Sequence, residues 1–204
     1  MSALQPYAIP KDGFISTGSG ANYQAVTGSD HHQVATAGFP PGTKISYFNS
    51  ALNGYGTCTY LKYEQGAGAV ALIAGHVCVW DPTEADYYAV TADRTDATVG
   101  PCAISLGIWA VGTDGYYGFF WTGGVCPDLT TLVGSTETRL SAVDAITDGG
   151  VAAGDWLYPH ATTDGGLDTY VWSTTATVPA GRTLAADTST TLALSNIVLT
   201  DLWG

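Results

Sequence analysis

Residues Gly112 to Gly124 read GTDGYYGFFWTGG. Five aromatic side chains, Tyr116, Tyr117, Phe119, Phe120 and Trp121, fall within residues 116–121, and no acid, base or nucleophile lies among them. Successive side chains of a strand point to opposite faces. As a strand, this run puts Tyr117, Phe119 and Trp121 on one face and Tyr116 and Phe120 on the other, with Gly118 between. A sheet with one wet face alternates apolar with polar residues, whereas here both faces are aromatic. Either the strand is buried between two layers, or one aromatic face meets a partner molecule. Gly118 leaves a notch where a second backbone can come close.

Outward from this run the period stays at two. CAISLGIWAV (Cys102 to Val111) and YYGFFWTGGV (Tyr116 to Val125) flank Thr113-Asp114-Gly115. Asp-Gly between two apolar runs predicts a hairpin, because glycine tolerates the positive φ of a tight turn. TCTYLKY from Thr57 and HVCVW (His76 to Trp80) read as strands, the latter stopped by the turn DPTEAD. The first 50 residues are rich in glycine and weakly periodic, and read as an extended arm that needs a neighbouring surface to stay ordered.

The second half echoes the first. AGHVCVWDPT (Ala74 to Thr83) resembles AGDWLYPHAT (Ala153 to Thr162) at an offset of 79. VGPCAIS resembles AGRTLAA at an offset of 81, and FFWT can be laid over IVLT at 78. Near-constant offsets predict two copies of one β-module. Between them Leu140, Val143 and Ile146 recur every three residues, which predicts one short helix. The expected fold is all-β, with one or two small β-barrel or β-sandwich modules and an extended N-terminal arm. The boundaries are 1–50 for the arm, 51–128 for the first module and 129–204 for a linker and second module.

Charged residues make up 12% of the 204 residues, and apolar ones 46%. Six cations face eighteen acids, giving a formal net charge of −12. The cations are scattered, which excludes a nucleic-acid footprint and disfavours an anionic membrane surface. No signal peptide or spanning segment is read at the N-terminus, so the expected compartment is the cytoplasm.

No catalytic constellation is read. The elbow G-x-S-x-G and the phosphate loop G-x-x-x-x-G-K-[ST] do not occur. His31 and His32 are adjacent and point apart on a strand, so they do not chelate from one face. His76 and His160 lack a positioned nucleophile. Cys58, Cys78, Cys102 and Cys126 form no zinc spacing and read as buried thiols, with a disulfide as the alternative. Acids cluster at Asp81, Glu84 and Asp86, at Asp93 and Asp96, and at Asp164 and Asp168. A glycosidase needs such pairs, yet each set falls on a turn, where Asp holds the backbone. The expectation is therefore no catalytic, cofactor or metal residue. Trp109, Trp121, Trp156 and Trp172 fit core filling, a protein interface or a sugar platform. The residues expected at a protein interface are Tyr116, Tyr117, Phe119, Phe120, Trp121 and Trp109.

TYLKYEQGAGAVALIAGHVCVWDPT and VGPCAISLGIWAVGTDGYYGFFWTGGV together resemble small structural proteins of tailed bacteriophages, including capsid decoration, or cement, proteins. The shared pattern is a strand with Tyr-x-Lys, Gly-Ala, an apolar ALxAG, a Val-Gly strand, an Asp-Gly-tipped hairpin and an aromatic strand before Gly-Val. It covers roughly residues 57–126, with a weaker echo over 151–200. The resemblance implies a role without catalysis: a homotrimer on the outer capsid surface, assembled in the host cytoplasm, that ties major capsid protein subunits together. Two rival readings are a glycan-binding module of a tail fibre or spike, and a glycosidase using the turn acids.

Overall fold

The computed structural model describes residues 15–16, 32–49, 52–72, 75–84, 87–97, 100–106, 114–126, 139–140, 151–160, 164–168, 179–184, 186, 192–193 and 197–203. Among them there is no helix. The strands of the first half are β1 (Ile15–Ser16), β2 (His32–Val34), β3 (Lys44–Asn49), β4 (Gly54–Tyr63), β5 (Val77–Trp80), β6 (Ala89–Thr91), β7 (Cys102–Ser105) and β8 (Tyr116–Val125). Those of the second are β9 (Arg139–Leu140), β10 (Trp156–Pro159), β11 (Leu167–Asp168), β12 (Gly181–Thr183), β13 (Leu192–Ala193) and β14 (Ile197–Leu199). β9 pairs with β13, and the other twelve form one sheet.

Two ten-residue strands organise the fold. β4 and β8 run antiparallel from Gly56↔Gly124 to Tyr63↔Tyr116, with a register shift at Thr57/Cys58. The far edge of β4 pairs first with β3 and then, in parallel, with β6 through Lys62↔Ala89 and Tyr63↔Val90. β6 pairs with β5, β5 with β7 and β7 with β8. The ring β4-β6-β5-β7-β8 therefore closes into a five-stranded barrel, which leaves none of these strands as a free edge.

The closed ring answers the question posed by the aromatic strand. Every barrel strand feeds one compact cluster: Leu61 and Tyr63 from β4, Val90 from β6, Cys78 from β5, Ala103 from β7 and Phe120 from β8, joined by Leu72 and Trp203. A barrel interior has this membership. The other face of β8 enters a larger cluster. Phe119 and Trp121 meet Tyr60, Val77, Val79 and Ile104 there, together with Leu157, Leu167, Ile197 and Leu199 of the second half. β8 is thus buried between two layers. Its second edge carries, in order, β2 at 117–118, β7 at 120–121 and β14 at 124–125. His32 pairs with Gly118 along this edge.

The faint repeat is a repeat of topology. The strand order β6-β5-β7-β8 recurs as β11-β10-β12-β14, every neighbouring pair antiparallel. Val79↔Thr91 and Trp80↔Val90 correspond to Tyr158↔Asp168 and Pro159↔Leu167, which keeps the offset of 79 for β5 and β10. The offset of 81 is corrected to 78: Cys78↔Ala103 matches Leu157↔Gly181. The β10–β11 connection is two residues shorter than β5–β6 and the β11–β12 connection one residue longer than β6–β7, which accounts for the drift. β14 lies against β8 as β8 lies against β4.

The boundary of the N-terminal arm moves. β3 pairs with β4 over six residues, β2 pairs with β8, and β1 pairs in parallel with β3. Residues 32–49 are therefore part of the first sheet, and the surface they lie on is the chain's own. Phe39 packs edge-on against Tyr60 and Phe119, with centroids 5.3 and 5.4 Å away. Asp114-Gly115 is a turn with Gly115 at φ 71°, and β7 and β8 pair antiparallel as expected. The Asp114 carboxylate accepts from the Gln65 amide at 2.9 Å, so this turn is also tied to the end of β4. Arg139–Leu140 is strand, and the rest of the expected helix lies outside the described residues.

Candidate interaction surface

The six residues expected at an interface separate sharply. Phe119, Phe120 and Trp121 are 0% exposed, and their neighbours belong to this chain. That corrects the expectation for these three: with the barrel on one side and the second half on the other, their rings are core. Tyr117 is half-buried and stacks on Tyr60, with centroids 6.1 Å apart. Tyr116 is half-buried against the barrel cluster. Trp109 lies outside the described residues, as does Trp172.

The large apolar side chains at the surface are others. Tyr55 is 62% exposed, Tyr87 57%, Leu184 49% and Trp156 41%. Strand register places three of these on one side of the sheet. Ile45, Tyr47 and Cys58 enter the larger cluster, so their neighbours Lys44, Ser46, Phe48, Tyr55 and Thr57 turn away from it. Leu157, Ile197 and Leu199 enter the same cluster, so Trp156, Val198 and Arg182, paired in a row, also turn away. Leu184 follows two residues after Arg182. β8 and β14 join the two parts into one open face.

That face has a groove of about 430 Å³ lined by Ser46, Tyr55, Gly56, Thr57, Gly123, Gly124 and Asp201. Glycine is required along its floor. A Cβ on Gly124, which has φ 71°, would lie 2.1 Å from the Tyr55 carbonyl oxygen. A Cβ on Gly56 would lie 2.2 Å from the Tyr47 hydroxyl, which donates to the Val125 carbonyl at 2.5 Å. Asp201 closes one wall and pairs with Lys44 Nζ at 2.9 Å. At the other end the Arg182 guanidinium carbon sits 3.8 Å above the Trp156 ring.

Charge is unevenly placed. Of the four cations whose side chains are described, Lys62 is paired with Glu64 and lies 3.6 Å from Glu84, and Arg94 is buried. Lys44 and Arg182 are the exposed two, and both stand on the open face. Aromatic and arginine side chains mark the cores of protein interfaces. Sequence reasoning had singled out Trp156 but missed Tyr55, Arg182 and Leu184. The available signal was Gly54-Tyr55-Gly56, a ring set between two glycines.

The turn acids hold backbone. Asp81 Oδ1 accepts from the Thr83 amide at 2.9 Å and its hydroxyl at 2.7 Å. Asp93 Oδ1 does the same for Thr95, and its Oδ2 accepts from the Gly68 amide at 2.7 Å. Asp96 accepts from Ala67, and Asp164 from Arg94. The side chains of Asp86 and Asp168 lie outside the described residues, as do those of His31 and His32. Among the described residues no group of three or more His, Cys, Asp or Glu is placed to hold a metal ion. All four cysteines are buried and unbonded to one another; burial pushes the Cys102 thiol up to about 12, and those of Cys58 and Cys78 higher still.

The chain matches no protein-family model, no curated protein and no solved structure.

Proposed function

We propose that this chain is a non-catalytic structural protein of a virus particle, a decoration protein that binds across neighbouring subunits of the major capsid protein. The observation that carries the reading is the open face, where Tyr55, Trp156 and Leu184 stand exposed beside the only two exposed cations among the described residues. Rigid aromatic anchors with an arginine are what a protein contact uses. The resemblance of residues 57–126 to phage decoration proteins supports the narrower assignment to the outer capsid, as a homotrimer. Asp81, Asp93, Asp96 and Asp164, engaged with backbone amides, support a role without catalysis. A protein that binds only the assembled shell stabilises it by mass action. The test is to purify particles, identify their proteins by mass spectrometry and locate this chain by cryo-electron microscopy. Presence in infected-cell lysate without presence on the particle would overturn it.

A second reading has one observation in its favour. The groove combines the Tyr55 ring, the Ser46 and Thr57 hydroxyls and the Asp201 carboxylate, which suits a sugar on a tail fibre or spike. Binding on a glycan array that is lost with Tyr55→Ala, together with density on the tail, would favour it over the capsid.

A further inference from the structure

Arg94 follows β6 and is only 4% exposed. Its Nη2 donates to the Val77 carbonyl at 2.9 Å, while Nε and Nη1 are buried with no hydrogen-bond partner among the described residues. The nearby carboxylates are committed elsewhere. Asp93 holds Gly68 and Thr95, Asp164 holds the Arg94 amide, and no described carboxylate lies within 4 Å of the guanidinium. Next to Val77 stands His76, whose buried Nδ1 is likewise unpartnered. The turn at 164–166 covers the site. Gly165 donates to the Ala92 carbonyl at 3.2 Å and accepts from the Val77 amide at 2.9 Å, and a Cβ on it would lie 2.6 Å from the His76 ring. Asp164 and Asp93 act on the guanidinium from a distance; a buried cation with no carboxylate in contact is still unfavourable, and orphaned buried donors add to that.

We propose that a small monoatomic anion, a halide, binds beneath the Asp164–Gly166 turn between the Arg94 guanidinium and the His76 ring. One such ion accepts from Arg94 and from His76 Nδ1–H and puts a negative charge in contact with the guanidinium, which neither aspartate does. Water satisfies the donors but brings no charge. The backbone of Gly165 lies close to the imidazole, which favours a small anion over a tetrahedral one. The ion would fasten the second half to the barrel, since its covering turn belongs to β10–β11 and its ligands flank β5 and β6. Burial first, and then Arg94, hold the His76 imidazole below its ordinary value, against an upward pull from Asp164; an anion between His76 and Arg94 offsets the second effect.

The experiment exchanges sodium glutamate for sodium bromide at constant ionic strength. The unfolding midpoint of the wild-type protein should rise with bromide and level off at saturation, and Arg94→Met should abolish the rise. The His76 titration midpoint, read by NMR on the wild-type chain, should move up in bromide. Crystals grown with bromide should show one anomalous peak within hydrogen-bond distance of Arg94 and His76. The NMR and diffraction arms decide the matter if Arg94→Met fails to fold. Ordered water at these nitrogens with no bromide-specific shift overturns the proposal, and so does an anomalous peak that appears at crystal concentration only.

Discussion

Arg182 lies over Trp156 on adjacent strands, its guanidinium carbon 3.8 Å from the ring centroid and both residues open to solvent. An exposed cation–π pair contributes only about 0.5–1 kcal/mol to folding. Trp156→Ala and Arg182→Ala should therefore leave the unfolding midpoint within a few degrees of wild type. As anchors of a protein contact they should weaken attachment to capsids at least about tenfold each, by co-sedimentation. A large loss of stability with unchanged attachment would reverse the assignment of this face.

The buried aromatics should behave in the opposite way. Phe119 and Phe120 are fully buried on opposite faces of β8. Truncating either to alanine should cost about 3–5 kcal/mol in chemical denaturation, from lost burial and the cavity left behind. Tyr55→Ala, at 62% exposure, should cost a small fraction of that.

Why the core aromatics were legible and the surface ones were not follows from the range of each signal. Alternation within Tyr116–Trp121 is local and survives into the fold as two buried faces. The Asp-x-Thr turns at Asp81 and Asp93 are equally local, because the carboxylate bonds to residues two ahead. The match of Ala74–Thr83 to Ala153–Thr162 carried the second module. Barrel closure was hidden, because it depends on a parallel pairing of β4 with β6 set by residues some 27 apart in Lys62↔Ala89. β3 reads as part of the arm because Pro40, Pro41 and Gly42 obscure the alternation that begins at Lys44. The open face needs the register of β3, β4, β8, β14, β12 and β10 together, and no single window contains it.

Gly124 tests the floor of the groove. It has φ 71°, and an added Cβ would meet backbone, the Tyr55 carbonyl oxygen at 2.1 Å. Backbone cannot swing aside as a flexible side chain does. Gly124→Ala should lose more than the roughly 1–2 kcal/mol that a left-handed conformation alone costs an L-residue, as measured by urea unfolding. Gly154, with φ 91° and no atom within 4 Å of its added Cβ, provides the control for conformation without crowding.

Acid should find Asp93. Burial alone would raise its carboxyl, but hydrogen bonds from Thr95 and Gly68 outweigh this and hold it below the ordinary carboxylate value of 3.8. A carboxyl depressed in the folded state contributes stability that is complete above its unfolded value and is lost as pH falls through the folded one. The unfolding free energy should therefore drop below about pH 4. Asp93→Asn should lower stability at neutral pH and flatten that acid limb.

The most direct test of the central claim is a cryo-electron microscopy reconstruction of the particles that carry this chain. The account predicts density for it on the outer capsid, with Tyr55, Arg182 and Trp156 turned against capsid subunits and Phe119, Phe120 and Trp121 sealed inside. A chain absent from the capsid, or seated there with the Tyr55–Trp156 face open to solvent, would contradict it.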